Sequence, residues 1–205
     1  MKPSGKDELN LGTNVVEELL PHTRPLLLVD RVVEFRDGDQ PELKAQKYIG
    51  ANEPVFEGHF RRFHLWPGIF TQEGLGQSCF LLYWILVVRH RWNEQNGEPD
   101  DVLTALRNLE LGYRLHPGFN AEMAEFLRAQ LPQDGFAMGM SSGVELRFLK
   151  PVYGGCRLDY TVRLTHEVQK QARFEVLAAV DGDPVVQGTM TARVDVGLST
   201  AIIDF

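Results

Sequence analysis

The sequence predicts an α+β fold in which an antiparallel sheet wraps one long, buried helix. Three observations lead there. Cys79–Val88 (CFLLYWILVV) is uncharged and apolar on every side, the composition of a helix covered all round. From Cys156 to Thr165 the apolar Cys156, Leu158, Tyr160, Val162 and Leu164 alternate with polar residues, the period of a strand with one wet face. Two β-rich runs, Ala172–Val180 and Val185–Val194, are joined through Asp181-Gly182, a hairpin signal. A curved sheet of five or six strands supplies the cover that the helix demands.

Taken in order, Asn14–Leu20 predicts a short helix stopped by Pro21. Leu26–Phe35 is rich in branched aliphatics and reads as a strand, Asp37-Gly38 as a turn, and Leu43–Ile49 as a second strand. The loop Gly50–Trp66 leads to Pro67, whose fixed φ suits a first helical position, and the apolar helix runs from there to about Val88. Arg91–Asp101 is polar and loop-like. Val102, Leu103, Leu106 and Leu109 then have helical spacing, with Asp100 or Asp101 as the N-cap. Asn120–Leu131 predicts another helix, with Met123, Phe126 and Leu127 on one face. We read residues 90–139 as a helical insertion, too small for its own core, within a single domain spanning 1–205.

Composition narrows the function. The chain has 205 residues, 21 Lys+Arg against 28 Asp+Glu and a formal net charge of −7, a poor match to phosphate-neutralising nucleic-acid binders. Two cysteines, Cys79 and Cys156, make neither a disulfide scaffold nor a four-cysteine zinc site. The first 18 residues lack the apolar stretch of a signal peptide, so the expected compartment is the cytoplasm. The uncharged run around Cys79–Val88 is too short to span a membrane, which takes about 20 residues.

The chemistry concentrates in Phe56–Gln77 (FEGHFRRFHLWPGIFTQEGLGQ). Glu73 falls in the second turn of an otherwise apolar helix. Burial there favours the protonated carboxyl, which can donate a proton near neutrality. The helix start at Pro67-Gly68 offers free N–H groups to an oxygen gaining negative charge. His59 arrives from the preceding loop beside Gly58. An imidazole, an acid and an amide-lined oxyanion site together suit proton abstraction next to a carbonyl. The bland alternatives are a packed loop histidine at His59 and a structural ion pair between Glu73 and Arg61 or Arg62. No pair among His59, His64, Glu57 and Glu73 has the spacing of the known zinc motifs, so no metal is expected. Ser78 lacks a nucleophile-elbow context, and Cys79 reads as a small core residue.

Leu19–Val32 (LLPHTRPLLLVDRV), Phe56–Gln77 and Phe148–Gly155 (FLKPVYGG) resemble, in order, three motifs of the hot-dog-fold 3-hydroxyacyl-[acyl-carrier-protein] dehydratases of the glutamate-containing type. The resemblance implies a hot-dog fold, with the sheet as bun and the long helix as filling. It also implies dehydration of (3R)-hydroxyacyl thioesters in fatty-acid or polyketide-type lipid metabolism. On it, His59 is the base, Glu73 the acid and Gly68 the carbonyl-facing amide, while Gly58, Phe60, Trp66, Pro67 and Gln77 line the substrate. It implies no cofactor beyond the phosphopantetheine that carries the substrate. Acyl-carrier protein is then a partner, and the dyad forms across a homodimer or a heterodimer with a related hot-dog subunit. His22 and Asp30-Arg31 belong to the pattern and are read as structural.

The departures are specific. Arg61 and Arg62 follow His59-Phe60 where the family has proline, and we assign them, with Arg89 and Arg91 as further candidates, to an acidic carrier surface or its phosphate. Trp66 replaces a methionine and is expected to narrow the acyl tunnel. Gly74 and Gly76 stand where the family has alanine, each letting a strand or an acyl chain approach the helix. A hot-dog thioesterase, an enoyl isomerase and a non-catalytic carrier-binding subunit remain as alternatives.

Overall fold

A computed structural model of the chain describes residues 6–60, 62–115, 129 and 140–194. Seven strands form one antiparallel sheet: β1 (Lys6–Leu11), β2 (Arg31–Arg36), β3 (Glu42–Tyr48), β4 (Met140–Phe148), β5 (Arg157–Val168), β6 (Gln171–Val180) and β7 (Asp183–Arg193). Their spatial order is β1-β2-β3-β5-β6-β7-β4. Helix α1 (Thr13–Leu19) follows β1, and α2 (Gly68–Glu94) and α3 (Pro99–Leu115) lie between β3 and β4. The sheet exceeds the expected five or six strands because β1, with alternating charges and few branched aliphatics, carries little strand signal.

The sheet closes around α2 as its composition requires. On β5 the even-numbered Leu158, Tyr160, Val162 and Leu164 are buried, and on β6 Ala172, Phe174, Val176 and Ala178 are. On the helix every residue from Leu81 to Arg89 is buried. The β6–β7 hairpin turns on Asp181 and Gly182, both with positive φ (52° and 86°), the geometry that matches strand twist. No described helix is long and apolar enough to cross a membrane.

Several boundaries move. The strand expected from Leu26 starts at Arg31, because the preceding residues run as loop past α2: Leu28 N–H and the Leu26 carbonyl bond to Gln77 on that helix (2.9 and 2.6 Å). Pro67 is the N-cap of α2, with Gly68 the first helical residue, and Gly50–Trp66 contains a short 3₁₀ turn at Pro54–Glu57. α2 continues to Glu94. α3 starts at Pro99, so Asp100 and Asp101 lie in its first turn instead of capping it. Asp101 accepts from Glu98 N–H (3.3 Å) and Trp92 Nε1–H (3.0 Å), closing the corner between the two helices.

α3 buries Val102, Leu103, Leu106 and Leu109, the face predicted from spacing. Its Glu110 accepts from Gly12 N–H (2.7 Å) at the start of α1 and pairs with Arg114 (2.7 Å). Arg107 reaches Asp7 on β1 (2.9 Å). The helix predicted over Asn120–Leu131, with Met123, Phe126 and Leu127, lies outside the described residues, as does the rest of 116–139 apart from residue 129. Arg89 does not serve a carrier surface: it is buried over the Phe35 ring (5.1 Å) and paired with Asp37 (2.6 Å) and Asp100 (3.5 Å). A long cation inside an apolar helix is tolerated only with such partners.

Candidate active site

His59 and Glu73 are presented at two different places on the chain. His59 follows the 3₁₀ turn, where Gly58 is its exposed C-cap and no atom lies within 4 Å of where a Cβ would stand. His59 Nδ1 lies 2.8 Å from the Leu65 carbonyl. A carbonyl oxygen only accepts, so Nδ1 carries the hydrogen and Nε2 keeps the lone pair. The imidazole is therefore oriented as a base through Nε2. Phe60 stacks on it (4.3 Å between centroids) and exchanges two backbone hydrogen bonds with Phe63 (2.8 and 2.9 Å). Arg62 sits at the exposed tip of this turn with φ 75°; Arg61 is outside the described residues.

The turn leads into α2 through Leu65 and Trp66, whose N–H donates to the Val152 carbonyl (2.8 Å). Trp66 is buried edge-on against Phe56 and Phe70, so it is a core residue and does not line the acid's cavity. At Gly68 a Cβ would stand 2.7 Å from the Phe148 ring, so the helix start and the end of β4 lie in contact. The first amides of α2 have no carbonyl behind them within the helix and carry its positive dipole end.

Glu73 opens into a cavity of about 180 Å³ that runs along α2 past Gly76 and Phe80 to Tyr83, walled by Phe174 of β6 and Met190 of β7. Its side chain is 43% exposed in the single chain, not buried as its place in an apolar helix suggested. Gln77, one turn on and fully buried, donates to Glu73 Oε1 (3.0 Å) and to the Leu26 carbonyl (2.6 Å) while accepting from Leu28 N–H (2.9 Å). Gln77 thus anchors the acid and ties the loop before β2 to the helix, a role beyond the substrate contact expected of it.

Replacing Gln77 by leucine leaves the buried Leu28 N–H without an acceptor. We expect a loss of about 1–3 kcal/mol, read as a lower denaturant midpoint at unchanged m-value.

His22, a structural residue on the sequence pattern, instead has its Nε2 3.4 Å from Glu73 Oε1 and lines the same cavity. Its place in the first motif was the available signal. Asp30, by contrast, bonds Lys47 (3.1 Å) and Tyr48 N–H (2.7 Å), within the sheet framework. Burial drives the Cys79 thiol far above its ordinary range, in keeping with a core residue and against a nucleophile. Among the described residues no group of three or more His, Cys, Asp or Glu could hold a metal.

Comparison with known proteins identifies the family. A FabA-like domain model matches residues 20–103. The curated 3-hydroxyacyl-[acyl-carrier-protein] dehydratase FabZ of Nitratidesulfovibrio vulgaris strain DP4 is 32% identical over 176 residues, covering 86% of each chain. The chain belongs to the FabZ dehydratase family. Its fold is accordingly the hot-dog fold. The FabZ of Pectobacterium atrosepticum is 29% identical over 184 residues, 90% of this chain and 93% of its own. Among solved structures, the dehydratase heterocomplex ApeI:P from Xenorhabdus doucetiae covers 87% of this chain and 90% of its own at 18% identity and a TM-score of 0.49.

Proposed function

We propose that this FabZ-family chain removes water from (3R)-hydroxyacyl thioesters on acyl-carrier protein, giving trans-2-enoyl thioesters for fatty-acid or polyketide-type synthesis. The observation that carries the reading is Glu73, a carboxyl anchored through one oxygen by a buried amide at the mouth of a largely apolar cavity. His59 Nε2 takes the C2 proton. The Gly68 N–H meets the negative charge that develops on the thioester oxygen. Glu73 gives a proton to the departing 3-hydroxyl, which leaves as water. A proton then passes from imidazolium to carboxylate and resets the site. One C–H and one C–O bond break and a C=C bond and water form, with no net change of oxidation state, so the reaction calls for no redox group, and the phosphopantetheine belongs to the substrate.

His59 does not line the Glu73 cavity, and the dyad is completed by a second hot-dog chain. Two features of this chain favour that. Phe60, Phe63, Ile69, Phe148, Leu149 and Tyr153 are each 44–69% exposed around the start of α2, more large apolar surface than a lone chain ordinarily leaves wet. Among the described strands β4 pairs only with β7, so its outer edge is free for the same strand of a second copy. Arg62, at the exposed tip of the turn beside His59, and Arg61, its neighbour in sequence, are assigned to the carrier or its phosphate.

The test is turnover of 3-hydroxyacyl-carrier thioesters by the purified protein, followed as enoyl-thioester absorbance alongside free thiol. Enoyl product without thiol is expected. Thiol release would make the chain a thioesterase, and carrier binding without turnover would make it a partner subunit.

A further inference from the structure

Gln77 and His22 both approach the same oxygen of the Glu73 carboxyl group, and among the described residues no hydrogen bond reaches the other. Gln77 Nε2 donates to Oε1 at 3.0 Å, and His22 Nε2 lies 3.4 Å from the same atom. The other ring nitrogen of His22, Nδ1, is buried with no hydrogen-bond partner among the described residues. An unmet buried acceptor costs less than an unmet buried N–H. The tautomer that fits therefore carries its hydrogen on Nε2, on the side of Glu73, and leaves Nδ1 as the lone pair. The imidazole is thereby committed to the carboxylate.

We propose that His22 is a positioning residue for the acid: with Gln77 it fixes Oε1 as an acceptor, so that Oε2 is the atom that carries the working proton. The inference rests on the dehydratase reading above. The two donors come from different parts of the chain, Gln77 from α2 and His22 from the loop between α1 and β2. Between them they set both the rotation of the carboxyl group and its depth in the cavity. With Gln77 alone the carboxyl keeps one hydrogen bond and is free to turn about it, exchanging the roles of its two oxygens. A misdirected acid binds substrate as before but seldom meets the 3-hydroxyl in line.

The experiment compares wild type, His22→Ala and His22→Gln on a 3-hydroxyacyl-carrier thioester, with kcat and KM resolved and thermal unfolding measured beside them. Glutamine reaches to the same depth and offers an N–H with no ring. We expect His22→Ala to lower kcat by about 10- to 100-fold with KM within about threefold, and His22→Gln to recover most of kcat. An unchanged kcat in His22→Ala beside an active wild type overturns the inference alone. So does a rise in KM at constant kcat, which marks a substrate contact. Loss of activity in step with loss of melting temperature, unrelieved by glutamine, marks a structural residue and overturns it too. A wild type that turns over no substrate brings down the dehydratase reading and this inference with it.

Discussion

Co-producing the His59→Ala and Glu73→Gln chains is expected to restore activity that neither has alone. Each homodimer lacks the same group at both sites, and the loss of a general acid or base costs about 10²- to 10⁴-fold. If each site draws His59 from one chain and Glu73 from the other, the mixed dimer carries one intact site and one doubly disabled site. Random pairing makes half of the dimers mixed, so the expected recovery is about a quarter of the wild-type rate. If both groups acted within one chain, every site in the mixture would be disabled and nothing would return. The measurement is enoyl-thioester formation by the unselected mixture, with different tags on the two chains used on a separate portion to verify that mixed dimers are present. Activity no higher than that of the two parents would end the shared-site reading. The exposed apolar residues around the start of α2 and the separation of His59 from the Glu73 cavity make recovery the expected outcome.

Much of this arrangement was legible because it depends on patterns local in sequence. The uniformly apolar stretch of α2 announced a helix wrapped on all sides, and the period-two face of β5 announced its wrapper. β1 was not legible. Its stability comes from pairing with β2 and from Arg107 reaching across from α3, and no residue in Lys6–Leu11 advertises either contact. Arg89 was misread for a related reason. A basic residue beside others looks like surface charge until the fold sets Asp37 and Phe35 next to it. The exposure of Glu73 was also misjudged. Helix periodicity says which residues share a face, but a cavity between that face and the sheet is a property of the packing. His22 and Glu73 stand 51 residues apart, and their proximity follows from Gln77 clamping the loop at Leu26 and Leu28 onto α2.

The two glycines flanking Leu75 separate two roles that the sequence could only offer jointly. At Gly74 an added Cβ would run into the Tyr160 hydroxyl of β5 and stand 2.9 Å from the Leu28 carbonyl. Both neighbours are held: Tyr160 is fully buried, and Leu28 is bonded through its own N–H to Gln77. Neither can yield without moving a strand or the loop that anchors the acid. At Gly76 the nearest atom to an added Cβ is the terminal methyl of Met190, at 3.4 Å, the far end of a flexible side chain on the cavity wall. Gly74 thus serves the approach of strand and loop to the helix, and Gly76 serves the cavity. Alanine in either place gains about 1 kcal/mol of helix propensity. At Gly74 overpacking of about 1–3 kcal/mol, or more, outweighs that gain, so Gly74→Ala should melt several degrees lower. Gly76→Ala should melt at or slightly above the wild-type temperature. Its cost should fall instead on the substrate, as a narrower groove beside Glu73 that slows bulky or long acyl chains more than short ones. Thermal unfolding and a chain-length series on the two variants check this division, which fails if both variants shift the melting temperature in the same direction by similar amounts.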